Sequence, residues 1–258
     1  MLKKFLFSTV IAGLLNACVT SPTGRNQLIF MPDNQIDQMG LQAFDDLKKT
    51  KPISGNASFN KVVNCVAHSL TQQIGGQWEV LVFDDPSFNA FALPGYKIGV
   101  HTGLLKLIDN PSQLASVIGH EIGHVLAKHS NERMSQETAM NAGMSVLQAS
   151  GGLGATSLGL LGMGAQFGVL LPFSRTHESE ADLIGLDLMA KAGFDPTQSI
   201  ALWQKMERAS QNAQQPIEFM STHPAHATRI QNLQQHMANA LQLQQQANAS
   251  GLRPNCTP

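Results

Sequence analysis

Apolar residues recur at helical spacing over several stretches of this chain and alternate in one region between them. Residues 33 to 49 place Ile36, Met39, Ala43, Phe44 and Leu47 on one side of an amphipathic helix, and residues 58 to 74 do the same with Phe59, Val62, Val66, Leu70 and Ile74. Trp78 to Phe83 alternates as a strand, and Phe88 to Leu93 and Lys97 to His101 read as two more around a Pro94-Gly95 turn. The next helix opens at Asn110-Pro111-Ser112-Gln113, with Asn110 as cap, Pro111 in the first helical position and Gln113 where a capping box wants Glu or Gln. It carries two packing faces: an apolar one of Leu114, Ile118, Ile122 and Val125, and one of small residues, Ala115, Ser116, Gly119, Gly123 and Ala127. Gly193 stops a helix through Glu178, Asp195-Pro196 starts another to about Ser210, and residues 226 to 247 form a Gln-rich helix with Ile230, Leu233, Met237 and Leu241 inward. Early strands surrounded by helices predict an α+β fold, mostly helical, with a small sheet packed on the helix that starts at Asn110.

That helix leaves a narrow polar strip, and the strip reads His120-Glu121-Ile122-Gly123-His124. Residues four apart share a helix face, so both imidazoles can close on one metal ion while Glu121 projects beside them as a base. Ligand types favour zinc, one ion per chain. A catalytic zinc takes a third protein ligand and leaves its fourth position to water. Glu178 is assigned as that ligand, 54 residues beyond His124, and Asp182, one turn further, is placed to accept the distal N–H of a zinc-bound histidine. Glu180 is read as solvated, and His68, His101, His129, His177 and His236 as surface or packing histidines.

These motifs, with Ser174-Arg175, Ala181 and Gly185, resemble the gluzincin metallopeptidases of the CAAX-prenyl-protease, HtpX, BepA and LoiP group, in the bacterial lipoprotein branch. Asn89 to Gly95, continuing to Leu105, is similar to the stretch ahead of that group's zinc helix, and Thr222-His223-Pro224 with Arg229 to its C-terminal motif. Tyr96 departs from the pattern, since relatives more often carry a second glycine there. The resemblance implies a zincin fold and peptide hydrolysis by a zinc-activated water, with Glu121 shuttling the proton. An extended polypeptide substrate would add as a strand along Asn89, Ala90, Phe91 and Ala92. His223, Arg229 and Tyr96 are the candidates to stabilise the oxyanion; His223 could instead be a fourth zinc ligand in a resting state, and His226 is a weaker candidate.

Residues 1 to 17 read as a signal peptide, with a basic start at Lys3-Lys4 and a short apolar run from Phe5 to Leu15. Leu15-Asn16-Ala17-Cys18 resembles a lipoprotein box, with an ordinary secretory signal as the alternative; lipidated Cys18 would anchor the chain through a tether over residues 18 to 32. The metallopeptidase domain then spans 33 to 258, and the address expected is the periplasm, at the outer membrane. Cys65 and Cys256, the two cysteines left, are expected to bond. With 43% hydrophobic residues, 14% charged residues and a net charge of −1, the composition suits one compact enzyme and points to no nucleic-acid partner. Thr138 to Ser174 holds eight glycines and no charge. Because His124 and Glu178 flank it and must converge, it is read as a helical hairpin turning at Gly151-Gly152, a lid or a packing element, and not as a membrane span.

The function expected is therefore a zinc endopeptidase acting on misfolded or unassembled envelope proteins, alongside outer-membrane assembly machinery. The alternatives are a periplasmic chaperone or assembly factor whose zinc is mainly structural, and a scaffolding lipoprotein.

Overall fold

The computed structural model describes residues 18–149, 175–212, 218–223 and 227–257. The signal peptide expected over 1–17, the Gly151-Gly152 turn, Pro224 and His226 lie outside them. In chain order the elements are β1 (Cys18–Thr20), β2 (Asn26–Leu28), α1 (Asp33–Thr50), α2 (Ala57–Thr71), β3 (Glu79–Phe83), β4 (Ala90–Leu93), β5 (Lys97–His101) and α3 (Thr102–Leu107). Then follow α4 (Pro111–Leu126), α5 (His129–Ala149), α6 (Arg175–Lys191), α7 (Thr197–Asn212), α8 (Glu218–Thr222) and α9 (Ala227–Ala249). This is a mostly helical zincin-like fold with a small sheet.

Helix α4 is the centre of the molecule, buried from Gln113 to His124. Asn110 caps it by accepting from the Gln113 N–H at 3.1 Å. Its small-residue face lies directly on α6. A Cβ on Gly123 would sit 2.7 Å from the Ala181 carbonyl oxygen, and one on Gly185 2.6 Å from the His120 nitrogen. This close approach sets the distance between His120 and Asp182. It offsets the roughly 1 kcal/mol that each interior glycine costs. The apolar face packs into a core with Val66, Leu70, Val100, Leu104 and Met189.

The sheet runs in the order β3-β5-β4, with β5 parallel to β3 and antiparallel to β4. Within this sheet β4 is an edge. The Asn89 carbonyl accepts from the His101 N–H at 3.0 Å. Antiparallel alternation then turns the N–H and C=O groups of Ala90 and Ala92 away from β5. The turn between β4 and β5 keeps left-handed backbone at both Gly95 (φ 80°) and Tyr96 (φ 63°). A side chain tolerates that conformation at a cost of roughly 1–2 kcal/mol, and here the Tyr96 ring packs edge-on against Trp78 at 5.2 Å.

Two expectations need correction. Residues 18–32 are not a free tether: β1 and β2 form an antiparallel hairpin, with Gln27 buried and hydrogen-bonded to the Ala127 carbonyl and Glu132. In α1, Met39 is exposed, as is Ala43, because the inward line is Ile36, Gly40 and Phe44 at strict four-residue spacing. Gly40 meets the Pro94 backbone so closely that no side chain fits between them. At the C-terminus, a Cys65–Cys256 disulfide ties the tail to α2 across 191 residues. In the chain-entropy account such a closure stabilises by on the order of 5 kcal/mol at most.

Candidate metal centre

Four buried side chains converge between α4, α6 and the residue after α8: His120, His124, Glu178 and His223, whose ligand atoms all lie within 4.8 Å of one another. Nε2 of His120 is 3.1 Å from Nε2 of His124 and 3.2 Å from Nδ1 of His223. Glu178 Oε2 is 3.4 Å from His120 Nε2, and Oε1 is 3.4 Å from His124 Nε2 and 3.0 Å from His223 Nδ1. Ligands around a tetrahedral zinc, at about 2.0–2.1 Å from it, are separated by roughly 3.3 Å. The donor set and its spacing fit that ion.

The carboxylates behave as the site requires. Burial would raise the Glu178 carboxyl, but hydrogen bonds from the three imidazoles hold it well below the ordinary carboxylate range. Burial presses His124 well below its usual value, towards the neutral form that binds metal. Burial also opposes charge on His120, yet Asp182 and Glu178 outweigh it and raise that ring's pKa. Asp182 Oδ1 lies 3.0 Å from His120 Nδ1, the position from which a carboxylate takes the distal N–H and leaves Nε2 for the metal.

Glu121 stands beside the cage and is itself buried, which pushes its carboxyl pKa up. It accepts from the Ala92 N–H on the outward edge of β4. Its Oε1 has no hydrogen-bond partner among the described residues, with His223 Nε2 at 3.4 Å. A base so placed has one oxygen left to take a proton from a water beside the cage. Asn89 reaches Glu218 at 3.0 Å, and Ala90, Phe91 and Ala92 form the strand that leads to Glu121.

Two placements depart from expectation. Arg229 is buried and its guanidinium grips Asp182 through Nε (2.6 Å) and Nη2 (2.7 Å), reaches Glu178 Oε2 at 2.8 Å, and lies over the Trp203 ring at 3.9 Å. It braces the two carboxylates of α6 from behind. Glu180, expected in solvent, is buried and paired with Arg25 at 2.9 Å. His101, His129 and His177 are buried too, in polar contacts, whereas His68 is exposed. Tyr96 lines, with Trp78, Pro94 and His124, a cavity of about 340 Å³ beside the site. Cys18 lies in β1, opposite Leu28.

Residues 54–237 match the profile of Peptidase family M48. The chain belongs to that family. Family M48 is a family of zinc metallopeptidases, and the His-His-Glu-His group supplies what such a metal needs. The chain is 40% identical over 165 residues to the mitochondrial metalloendopeptidase OMA1 of Schizosaccharomyces pombe, covering 64% of this chain and 48% of that one. It is 32% identical to the OMA1 metalloendopeptidase of Bos taurus, over 91% of this chain and 48% of the relative. It is 28% identical to the beta-barrel assembly-enhancing protease of Escherichia coli, over 89% and 51%. The M48 chain described here thus spans about half the length of these curated relatives. The comparisons overturn the periplasmic, outer-membrane lipid-anchored address read from the N-terminus: the OMA1 relatives, named as mitochondrial, are more similar than the bacterial proteases.

Proposed function

We propose that the protein is a zinc-dependent endopeptidase that cleaves misfolded or unassembled polypeptides presented as extended strands. One observation carries the reading: a buried base, Glu121, sits between the converging ligands His120, His124, Glu178 and His223 and the outward edge of β4. The names of the relatives, metalloendopeptidase and assembly-enhancing protease, support it.

Zinc, when bound, would supply positive charge that makes a water acidic and polarises the scissile carbonyl. The protein's own groups do the rest. A substrate strand would add along the outward edge of β4 near Ala92, through main-chain contacts that select an extended backbone and tolerate many sequences. Glu121, its affinity for a proton raised by burial, takes the water's proton and returns it to the leaving nitrogen. Asp182 fixes His120, and Arg229 fixes Asp182 and Glu178. His223 lies beside the other three ligand atoms, which supports reading it as a resting-state ligand that yields its place during cleavage. A purely structural metal site would need no Glu121, and this weighs against the chaperone alternative.

A strand-capturing endopeptidase should act on chains that can be drawn out. With one protein offered in native and in reduced, unfolded form, the unfolded form should be cut at internal bonds and the native form left nearly intact. Release of single terminal residues, or equal cleavage of both forms, contradicts the proposal.

A further inference from the structure

We infer that His129 and Glu180, clasped by Arg25, are positioning residues for His124, which makes the N-terminal hairpin part of the metal site. The inference rests on His124 being a ligand, as proposed above. His124 directs Nε2 into the cage, while its Nδ1 lies 2.9 Å from Nδ1 of His129. Nε2 of His129 lies 3.0 Å from Oε2 of Glu180. A neutral imidazole has one N–H and one lone pair, and an ionised carboxylate only accepts. Glu180 therefore places the His129 proton on Nε2 and leaves Nδ1 an acceptor. An acceptor there requires the His124 proton on Nδ1. The lone pair of His124 Nε2 is then left facing Glu178 and the metal position.

The carboxylate thus chooses the tautomer of a ring two hydrogen bonds away. Asp182 does the same for His120 in a single step. Each imidazole from the His120–His124 pair is backed by a carboxylate, one directly and one through a second ring.

Arg25 holds this relay from outside α4, α5 and α6. Its Nε donates to Glu180 at 2.9 Å, and Nη1 and Nη2 donate to the two oxygens of Glu132 at 2.7 and 2.6 Å. Thr23, from the same hairpin, donates its hydroxyl to Glu180. His177 Nε2 lies 3.0 Å from Glu132, and its ring stacks on that of His129 at 4.3 Å. The His129 plane is thereby fixed from one face and from both nitrogens. Ser135, buried on α5, accepts from the Phe30 N–H at 3.2 Å and donates to Asn131; it fastens the chain beyond the hairpin through groups other than Arg25, Glu132, Glu180 and His129.

The two roles separate experimentally. Zinc dissociation constants are measured by chelator competition on the full chain, together with melting temperature and the visible spectrum of the cobalt-substituted protein. His129→Ala should weaken zinc by about 10–100-fold, the range typical for a lost partner behind a ligating histidine, and should shift the cobalt bands. Arg25→Ala should weaken zinc severalfold. His129→Asn, whose Oδ1 stands where the ring's Nδ1 does and can still accept from His124 Nδ1, should recover part of the loss, and Arg25→Ala carries the test if His129→Ala does not fold. Ser135→Ala should lower the melting temperature and leave zinc affinity unchanged. Zinc affinity within twofold of wild type in folded His129→Ala, or in Arg25→Ala where His129→Ala does not fold, overturns the inference. An equal loss in Ser135→Ala overturns it as well. A wild-type chain that binds no zinc removes the metal-site reading along with it.

Discussion

Glu121→Gln is expected to lower peptide hydrolysis by about 10²–10⁴-fold, the range that a positioned acid–base group contributes, while zinc content stays that of wild type. Glutamine matches the shape of glutamate and can still accept from the Ala92 N–H, so the local packing of α4 against β4 survives. What it lacks is a group that takes up a proton. Glu121 is adjacent to the ligand cage but outside it, since the converging atoms belong to His120, His124, Glu178 and His223. Metal retention and loss of turnover should therefore separate cleanly. Turnover assays on an unfolded protein substrate, paired with metal analysis of the same preparation, check this. Activity within a few fold of wild type would show that another group carries the proton.

His223→Ala is expected to act in the opposite direction. His223 Nδ1 sits 3.0 Å from Glu178 and 3.2 Å from His120 Nε2, as a ligand sits and not as a reserve base. Removing it leaves three protein ligands and one open position, the composition of catalytic zinc sites. If the closed arrangement is favoured by about 1.4 kcal/mol, opening it raises turnover roughly tenfold. A lost ligand also weakens zinc, so the comparison belongs at saturating zinc. A fall in turnover under those conditions would assign His223 to the reaction itself.

The sequence carries what is local. Asn110, Pro111 and the two stripes of α4 define a helix through short-range spacing, and the four-residue steps from His120 to His124 and from Glu178 to Asp182 put each pair on one face. The hairpin of β1 and β2 is different. Three-residue strands reading Cys-Val-Thr and Asn-Gln-Leu have too little alternation to announce a sheet, and Gln27 is buried only because Ala127 and Glu132 are there to receive it. Glu180 misleads for the same reason. Between Glu178 and Asp182 it looks like one charge in a solvated run, and its partners Arg25 and His129 lie 155 and 51 residues away. Arg229 was legible as a functional residue, but its direction was not. Only the packing of α9 against both α6 and α7 shows that its guanidinium faces Asp182 and Trp203. Tyr96 shows a further limit: its ring contact with Trp78 accompanies a left-handed turn that the sequence alone would reserve for glycine.

The central claim is that hydrolysis depends on one metal ion held by His120, His124 and Glu178. Its most direct test is turnover followed through removal and return of zinc, with Glu178→Ala alongside. The purified protein should carry one zinc per chain, lose all peptidase activity when chelated, and recover it as zinc is restored to one equivalent, whereas Glu178→Ala should neither retain the ion nor recover. Undiminished cleavage by protein shown to be free of metal would contradict the account.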